Sequence, residues 1–307
     1  MEKLSLLSKI RDIYEQNSNM MQYLRNSSGN KYNSVSDIMI SYDFQAGSYV
    51  NLYMANPKRY EGYISHLARI IEELPGRKRT IFEPGVGEAT TLVPLLNKLN
   101  RNICAGGGDI SWSRVKVAQG FSENYLKQGK NRIVMADMFA LPLADSSVDV
   151  VYTSHAMEPN GGHEVELLKE LYRVTSEYLI LLEPAYEFAS MEAKAHMEKN
   201  GYVRNLYQAA KSLDLDVIVW ELYSEILTPL NPTGLMIIKK HPLMSNSDEK
   251  VKDIDFVCPI THEPLKILGN TYYSKECMLA YPIINDVACL ISEYAVVATK
   301  MMSCFEK

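Results

Sequence analysis

The feature that most constrains this chain is a pattern that begins near residue 79, where short apolar runs alternate with amphipathic stretches. The runs TIFEP, ICAGGGD, RIVMAD, VDVVYTS and YLILLEP are nearly all apolar, which is typical of strands buried on both faces. Between the first two runs, Leu92, Leu95, Leu96 and Leu99 recur at helical spacing. This alternation predicts an α/β fold, a doubly wound and mostly parallel sheet with helices on both faces.

The flanking stretches suggest how the 307 residues are divided. Residues 1–75 are predicted to be helical, residues 76–243 to form the sheet domain, and residues 254–307 to form a small α+β module. A polar linker, MSNSDEKVKD at residues 244–253, marks the second boundary. Within the sheet domain, DVIVWELY and GLMIIKK follow each other without a helix, which predicts an antiparallel strand pair at the sheet edge.

Charge, hydropathy and cysteine content argue against several classes of function. The formal net charge is −5 and no basic run occurs, which disfavours nucleic acid as a partner. No apolar run is long enough to span a membrane, and the first residues carry mixed charge unlike a signal peptide. Five irregularly spaced cysteines argue for a reducing compartment, so we expect a cytoplasmic protein.

A pair of glycines follows the first predicted strand in the stretch FEPGVGEATT. Glycines at Gly85 and Gly87 would let the backbone approach a ligand closely at the carboxyl end of a strand. A dinucleotide site requires a further glycine at position 90, where the chain has Thr90, and a triphosphate loop requires a lysine that is missing here. Glu83 would repel phosphates, but it suits a ligand with positive groups, and S-adenosylmethionine carries a sulfonium and an ammonium.

Two further acids end the next two predicted strands. Asp109 ends ICAGGGD, where a carboxylate can accept hydrogen bonds from both ribose hydroxyls. Asp137 ends RIVMAD, where a carboxylate can accept a hydrogen bond from an adenine amino group. Because the carboxyl ends of parallel strands meet at one edge of a sheet, these acids and Glu83 are predicted to share one site.

These motifs, together with LPLADSSVDVVYTSHAME, make residues 40–240 resemble the class I S-adenosylmethionine-dependent methyltransferases. The resemblance implies a Rossmann-like sheet of seven strands and S-adenosylmethionine as cofactor. It implies that the cofactor-binding residues are Glu83, Gly85 and Gly87 for the methionine end, Asp109 and Ile110 for the ribose, and Asp137 and Met138 for the adenine. Ala89 departs from the common third glycine, and a helix start with negative φ would accept it.

Catalytic candidates follow the fourth and fifth strands. His155 comes directly after VDVVYTS and titrates near neutrality, which fits a base or a substrate ligand, or else a residue of the pocket wall. Glu183 ends YLILLEP and could be a base or bind a substrate amine. Tyr42, within SYDFQAGSY, is predicted to belong to a lid that contacts the cofactor and excludes water.

The C-terminal unit resembles the small zinc-ribbon-like activators that partner tRNA and release-factor methyltransferases, through CPITHEPL and AYPIINDVACLI. Cys258, His262, Cys277 and Cys289 would be the zinc ligands, but Thr261 stands where a second knuckle cysteine belongs. We therefore predict a module without metal. Gly269 and Asn270 predict a hairpin turn between LKIL and TYY.

The sequence thus predicts a methyltransferase that acts on a small or medium-sized acceptor, such as a sugar, a glycan precursor or a natural-product intermediate. The alternatives are a non-catalytic binding or scaffold protein with this fold, or a methyltransferase acting on tRNA or protein. The methylated atom and the oligomeric state are left open by the sequence.

Overall fold

The computed structural model of the chain describes residues 6–100, 103–225, 228–241 and 253–305. Its central sheet has the order β3-β2-β1-β4-β5-β7-β6. The strands are β1 (Thr80–Pro84), β2 (Cys104–Asp109), β3 (Lys130–Met135), β4 (Val148–Ser154), β5 (Thr175–Pro184), β6 (Asp216–Leu222) and β7 (Thr233–Lys239). Strands β1 to β5 are parallel to one another, and β7 runs antiparallel to both β5 and β6. The predicted seven-stranded, mostly parallel sheet and its antiparallel edge pair are confirmed.

Helices cover both faces of this sheet, as the sequence pattern predicts. The helices that precede the C-terminal module are α1 (Leu7–Glu15), α2 (Met20–Ser27), α3 (Val35–Phe44), α4 (Ser48–Ala55), α5 (Lys58–Glu73), α6 (Leu92–Lys98), α7 (Trp112–Tyr125), α8 (Glu164–Val174), α9 (Met191–Asn200) and α10 (Leu206–Ser212). Successive strand residues point to opposite faces. Ile81 accordingly packs with α5, α6 and α7, whereas Phe82 packs with α8 and α10. None of the helices in the described ranges is long and apolar enough to cross a membrane.

The strand order has one reversal that positions a binding site. The chain moves from β1 outward to β2 and β3, and then returns to place β4 on the other side of β1. Loops that leave β1 and β4 therefore diverge at their carboxyl ends and open a crevice, the usual ligand site of such sheets. Helices α3 and α4 lie at this end of the sheet, where their residues contribute to the same cavity.

The C-terminal module is a small antiparallel sheet packed against the β3 edge. It comprises β8 (Lys266–Ile267), β9 (Thr271–Ser274), β10 (Leu279–Ile284), β11 (Val287–Ala288), β12 (Val296–Val297) and α11 (Met301–Phe305). The amide of Leu290 donates to the carbonyl of Met135 at 2.8 Å, so the module covers an otherwise open strand edge. The predicted hairpin forms, with β8 and β9 joined at Gly269 and Asn270. The predicted linker, apart from its last residue, lies outside the described residues.

Candidate functional site

A cavity of about 410 Å³ opens at the carboxyl ends of β1 to β4. This is the size of a small-molecule site. The structure brings all but one of the predicted site residues to its wall. They are Tyr42, Glu83, Gly85, Gly87, Asp109, Ile110, Asp137, Met138 and His155.

The turn after β1 has the close backbone approach that its glycines predict. Gly85 and Gly87 have φ angles of 69° and 54°, which residues with a side chain rarely adopt. A Cβ atom on Gly85 would lie 2.4 Å from the Cβ of Ala156. The expectation for Ala89 is wrong, because its φ is +59° and not negative. Since the turn stays left-handed there before α6 begins, alanine occupies a strained position.

Glu83 is the most perturbed acid of the cavity wall. Its side chain is buried, with only 2% of the residue exposed, and the hydroxyl of Tyr152 donates to Oε2 at 2.7 Å. Burial raises the pKa of Glu83 to about 8, although the hydrogen bond from Tyr152 opposes this shift. A positive group in the cavity would favour the ionised carboxylate again.

Asp109 and Asp137 face the cavity from the ends of β2 and β3. The carboxylate of Asp109 accepts hydrogen bonds from the amides of Gly87 and Ser111, both at 2.9 Å, which hold it across the glycine turn. Asp137 accepts from the amide of Phe139 at 2.9 Å, and burial raises its pKa. Each carboxylate oxygen can accept more than one hydrogen bond, so both side chains retain capacity for a ligand.

Arg114 is a buried cation in the same cavity. Its guanidinium lies over the rings of Tyr42 and Tyr49, with ring-centre distances of 4.9 and 4.5 Å. Its Nε is 3.8 Å from Oε1 of Glu88 and has no hydrogen-bond partner among the described residues. Because a buried guanidinium normally has all its donors paired, the Nε–H group can donate to an acceptor atom of a ligand in the cavity.

The N-terminal segment is fastened over the cavity by two carboxylates. Asp43 on α3 accepts from the amide of Ser113 at 3.0 Å and from the hydroxyl of Ser111 at 2.7 Å, at the N-terminus of α7. Glu88, after the glycine turn, accepts from the amides of Gly47 and Val50 at 3.0 and 2.7 Å, at the N-terminus of α4. Both acids complement the positive end of a helix, and together they hold Tyr42 and Tyr49 at the cavity.

A polar network forms the wall beyond β4. Nδ1 of His155 is 2.9 Å from Oε2 of Glu158, and Nε2 is 2.7 Å from the hydroxyl of Thr233. Asn231 donates to the same Glu158 oxygen at 2.6 Å. Burial favours neutral imidazole, but the bond with Glu158 outweighs it and raises the pKa of His155. With both ring nitrogens engaged, His155 holds Glu158 at the cavity wall.

Glu183 is the one predicted site residue that does not line this cavity among the described residues. It is 1% exposed and its Oε1 accepts from the amides of Ala156 and Met157, at 2.9 and 3.1 Å. Burial raises its pKa to about 7, against the effect of nearby His155. Glu183 thus supports the loop that carries His155, and its catalytic role stays a prediction.

Several cavity residues escape the sequence predictions. Glu88, Arg114, Glu158, Tyr202 and Asn231 all line the cavity. For Arg114 a signal exists, because Arg114, Ala118 and Phe121 form the buried stripe of α7 and an arginine on such a stripe requires a partner. The others come from loops and distant segments, where no periodic pattern assigns a position.

The suggested zinc ligands do not converge. Cys289 bridges to β3 at Met135, whereas Cys258 lies beside Cys277. Over the ranges that the structure describes, three or more His, Cys, Asp or Glu side chains nowhere form a group that could hold a metal ion.

Comparison with known proteins identifies the sheet domain. Residues 82–178 match the family model of the methyltransferase domain. No curated protein matches the chain in sequence.

Solved structures of similar fold include geranyl diphosphate C-methyltransferase from Streptomyces coelicolor A3(2), in complex with Mg²⁺, geranyl diphosphate and S-adenosyl-L-homocysteine. It has 13% identity and a TM-score of 0.48, over 64% of this chain and 85% of that one. Magnesium protoporphyrin IX methyltransferase from Synechocystis PCC 6803, with bound S-adenosylhomocysteine, has 16% identity and a TM-score of 0.47, over 76% and 99% of the two chains. A complex of the Haloferax volcanii Trm112 methyltransferase activator and a putative methyltransferase has 16% identity and a TM-score of 0.48, over 64% and 97%.

At such identities and TM-scores these neighbours say nothing about the acceptor. The family match lies on the strands and turns that form the cavity, from Phe82 in β1 to Tyr178 in β5. Residues 82–178 are therefore a methyltransferase domain, and the protein that carries them is a methyltransferase.

Proposed function

We propose that this protein transfers the methyl group of S-adenosylmethionine to a small or medium-sized acceptor, such as a sugar, a glycan precursor or a natural-product intermediate. S-adenosylmethionine is the methyl donor of the methyltransferase domain. When bound, it supplies an electrophilic methyl group on a sulfonium, and displacement at that carbon needs mainly alignment. One observation carries the proposal: the acids at the strand ends and a wall lined by tyrosines lie in the same cavity.

The donor half of the cavity fits this cofactor. The glycine turn packs so closely against Ala156 and Arg114 that neither Gly85 nor Gly87 could carry a Cβ atom, so bare backbone forms this part of the cavity wall. Glu83, whose carboxylate is buried beside that turn, complements a positive sulfonium or ammonium better than a phosphate. Asp109 would accept from the ribose hydroxyls and Asp137 from the adenine amino group, with Ile110 and Met138 as apolar neighbours.

Arg114 would supply a positive charge to the donor half of the cavity. The methionine part of the cofactor carries a carboxylate, and a guanidinium binds a carboxylate through paired N–H donors. The unpartnered Nε and the short distance to Gly87, where a Cβ atom would lie 2.6 Å from Nη2, support a role of Arg114 in holding this group. Tyr42 and Tyr49 would keep the guanidinium in place by stacking.

The acceptor half would be formed by Tyr42, Tyr49, Tyr202 and Glu158. Their hydroxyl and carboxylate groups suit an acceptor with hydroxyl or amino groups. Glu158 would accept the proton that the acceptor oxygen or nitrogen loses on methylation. His155 and Asn231 would orient this carboxylate through their hydrogen bonds to Oε2.

Calorimetry with S-adenosylhomocysteine and the full chain tests the donor assignment. We expect binding by the native protein and a loss of at least ten-fold in affinity for Asp109→Asn, because the ribose loses its charged acceptor. Asp12→Asn, on the exposed surface of α1, is the matched control and should bind as the native protein does. No binding by the native protein at millimolar ligand would overturn the donor assignment and favour a scaffold protein.

Methyl transfer from labelled S-adenosylmethionine to a panel of sugars and phenols tests the acceptor class. We expect product with at least one small hydroxyl or amino compound, and its loss in Glu158→Gln without loss of S-adenosylhomocysteine binding. Transfer to bulk tRNA or to protein, with none to the small compounds, would overturn the acceptor assignment while leaving the donor assignment intact.

A further inference from the structure

The C-terminal module contains two segments that resemble halves of a zinc knuckle. A knuckle places two cysteines three positions apart. The first segment is CPIT, with Cys258 and Thr261, and the second is SKEC, with Ser274 and Cys277. Each segment thus retains one cysteine, and a hydroxyl stands at the other position.

The fold brings the two remaining thiols together. Sγ of Cys258 and Sγ of Cys277 are 3.5 Å apart. The two hydroxyl positions lie beside them, since Cys258 shares hydrogen bonds with the side chains of Thr261 and Ser274. Cys258 is fully buried and Cys277 is half-buried, so the pair has one protected and one reachable sulfur.

The surroundings of Cys258 favour its thiolate. The side chains of Thr261, Ser274 and Tyr281 present hydroxyl groups to its buried sulfur. The hydroxyl of Tyr281 lies 3.3 Å from Sγ. Because the thiolate is the form that attacks a disulfide, this environment activates a buried sulfur that has a second sulfur next to it.

We propose that Cys258 and Cys277 are a dithiol modification site that forms an intramolecular disulfide with a small disulfide oxidant such as glutathione disulfide. Two thiolates and two hydroxyls are too few charged ligands for a structural zinc site, which takes four Cys or His ligands. A disulfide requires a sulfur separation of about 2.05 Å, so the two Sγ atoms, which lie 3.5 Å apart, must approach each other by about 1.5 Å. The covalent bond would join the two segments where a metal ion joins those of an intact knuckle.

The reaction has two exchange steps. The reachable thiolate of Cys277 attacks glutathione disulfide, which forms a mixed disulfide and releases one glutathione thiolate. The thiolate of Cys258 then attacks the Cys277 sulfur, which forms the internal bond and releases the second glutathione thiolate. Both protein sulfurs are oxidised, the glutathione disulfide is reduced to two thiols, and the two thiol protons pass to the released thiolates.

Oxidation of the full-length protein in glutathione buffers, followed by thiol blocking and peptide mass mapping, tests this site. We expect the peptides of Cys258 and Cys277 to be cross-linked with the loss of two hydrogen atoms. Cys104, Cys289 and Cys304 should remain blocked as free thiols. The cross-link closes a loop of about 20 residues, so the melting temperature should rise by several degrees over the reduced protein.

Variants separate this proposal from its competitors. Cys277→Ser, at the half-buried position, should lose the cross-link and the melting shift, and the exposed Cys304→Ser should retain both. Three results would each overturn the proposal. They are a glutathione adduct that persists on Cys277, free thiols at both positions after oxidation, and stoichiometric zinc in the native protein that Cys277→Ser loses.

Discussion

Replacing Glu83 by glutamine tests the charge of the cavity wall directly. The substitution preserves the shape of the side chain and an acceptor for the hydroxyl of Tyr152, but it removes the ionisable group. Burial raises the pKa of Glu83 from 4.5 to about 8. Because the folded state holds this proton to a higher pH than the unfolded chain, Glu83 makes the native protein lose stability as the pH rises from about 4.5 to about 8.

The size of this effect follows from the difference in pKa. Each pKa unit corresponds to about 1.4 kcal/mol, so the loss amounts to about 2 kcal/mol at pH 6 and about 5 kcal/mol at pH 9. Glutamine has no such loss. Glu83→Gln should therefore gain about 3 kcal/mol of unfolding free energy relative to the native protein between these pH values.

Urea unfolding of both proteins at the two pH values measures this difference. Glu183 and the other titrating groups are present in both proteins, so they cancel in the comparison. Glu61→Gln, on the exposed face of α5, is the matched control and should show no pH-dependent gain. If the stability difference between Glu83→Gln and the native protein is the same at both pH values, Glu83 is not a buried acid with a raised pKa.

Further predictions concern the cofactor, the acceptor and the lid. Binding of S-adenosylmethionine near pH 7 should release close to one proton from the native protein and none from Glu83→Gln, because the cationic ligand restores the ionised carboxylate. Calorimetry in two buffers of different ionisation enthalpy measures the number of protons released. Equal numbers for the two proteins would contradict this prediction. Arg114→Lys should weaken S-adenosylhomocysteine binding about 10-fold or more, since an ammonium cannot pair with a carboxylate through two parallel donors. Glu158→Gln should lower turnover by about 100-fold or more and leave S-adenosylhomocysteine affinity unchanged, whereas the exposed Glu166→Gln should change neither. Glu88→Ala should lower the free energy of unfolding by about 3 kcal/mol, because the amides of Gly47 and Val50 lose a charged acceptor. Limited proteolysis of this variant should cleave near α4. Unchanged protection of α4 from the protease would contradict the attachment of the lid by Glu88.

The parts of the fold that the sequence predicts are those with local periodicity. Each strand of the parallel sheet is an apolar run bounded by a turn, and the acids at Asp109 and Asp137 follow directly from the strand ends. The glycine turn is recognisable because few residues accept its backbone, yet the left-handed Ala89 shows that the same turn can also force a residue with a side chain into that conformation.

The parts that the sequence does not predict depend on contacts between distant segments. Glu158 reaches the cavity because Asn231, 73 positions away in the chain, and His155 both bind its carboxylate. The burial of Glu183 is a second case, since its strand-end position resembles that of Asp109, but the loop at Ala156 and Met157 folds over it. No period or spacing encodes such pairings.

A crystal structure of the protein with S-adenosylhomocysteine tests the central claim most directly. We expect the ligand in the cavity at the ends of β1 to β3, with its ribose at Asp109, its adenine at Asp137 and its carboxylate at Arg114. A ligand bound outside this cavity, or one whose ribose does not contact Asp109, would contradict the assignment of the donor site.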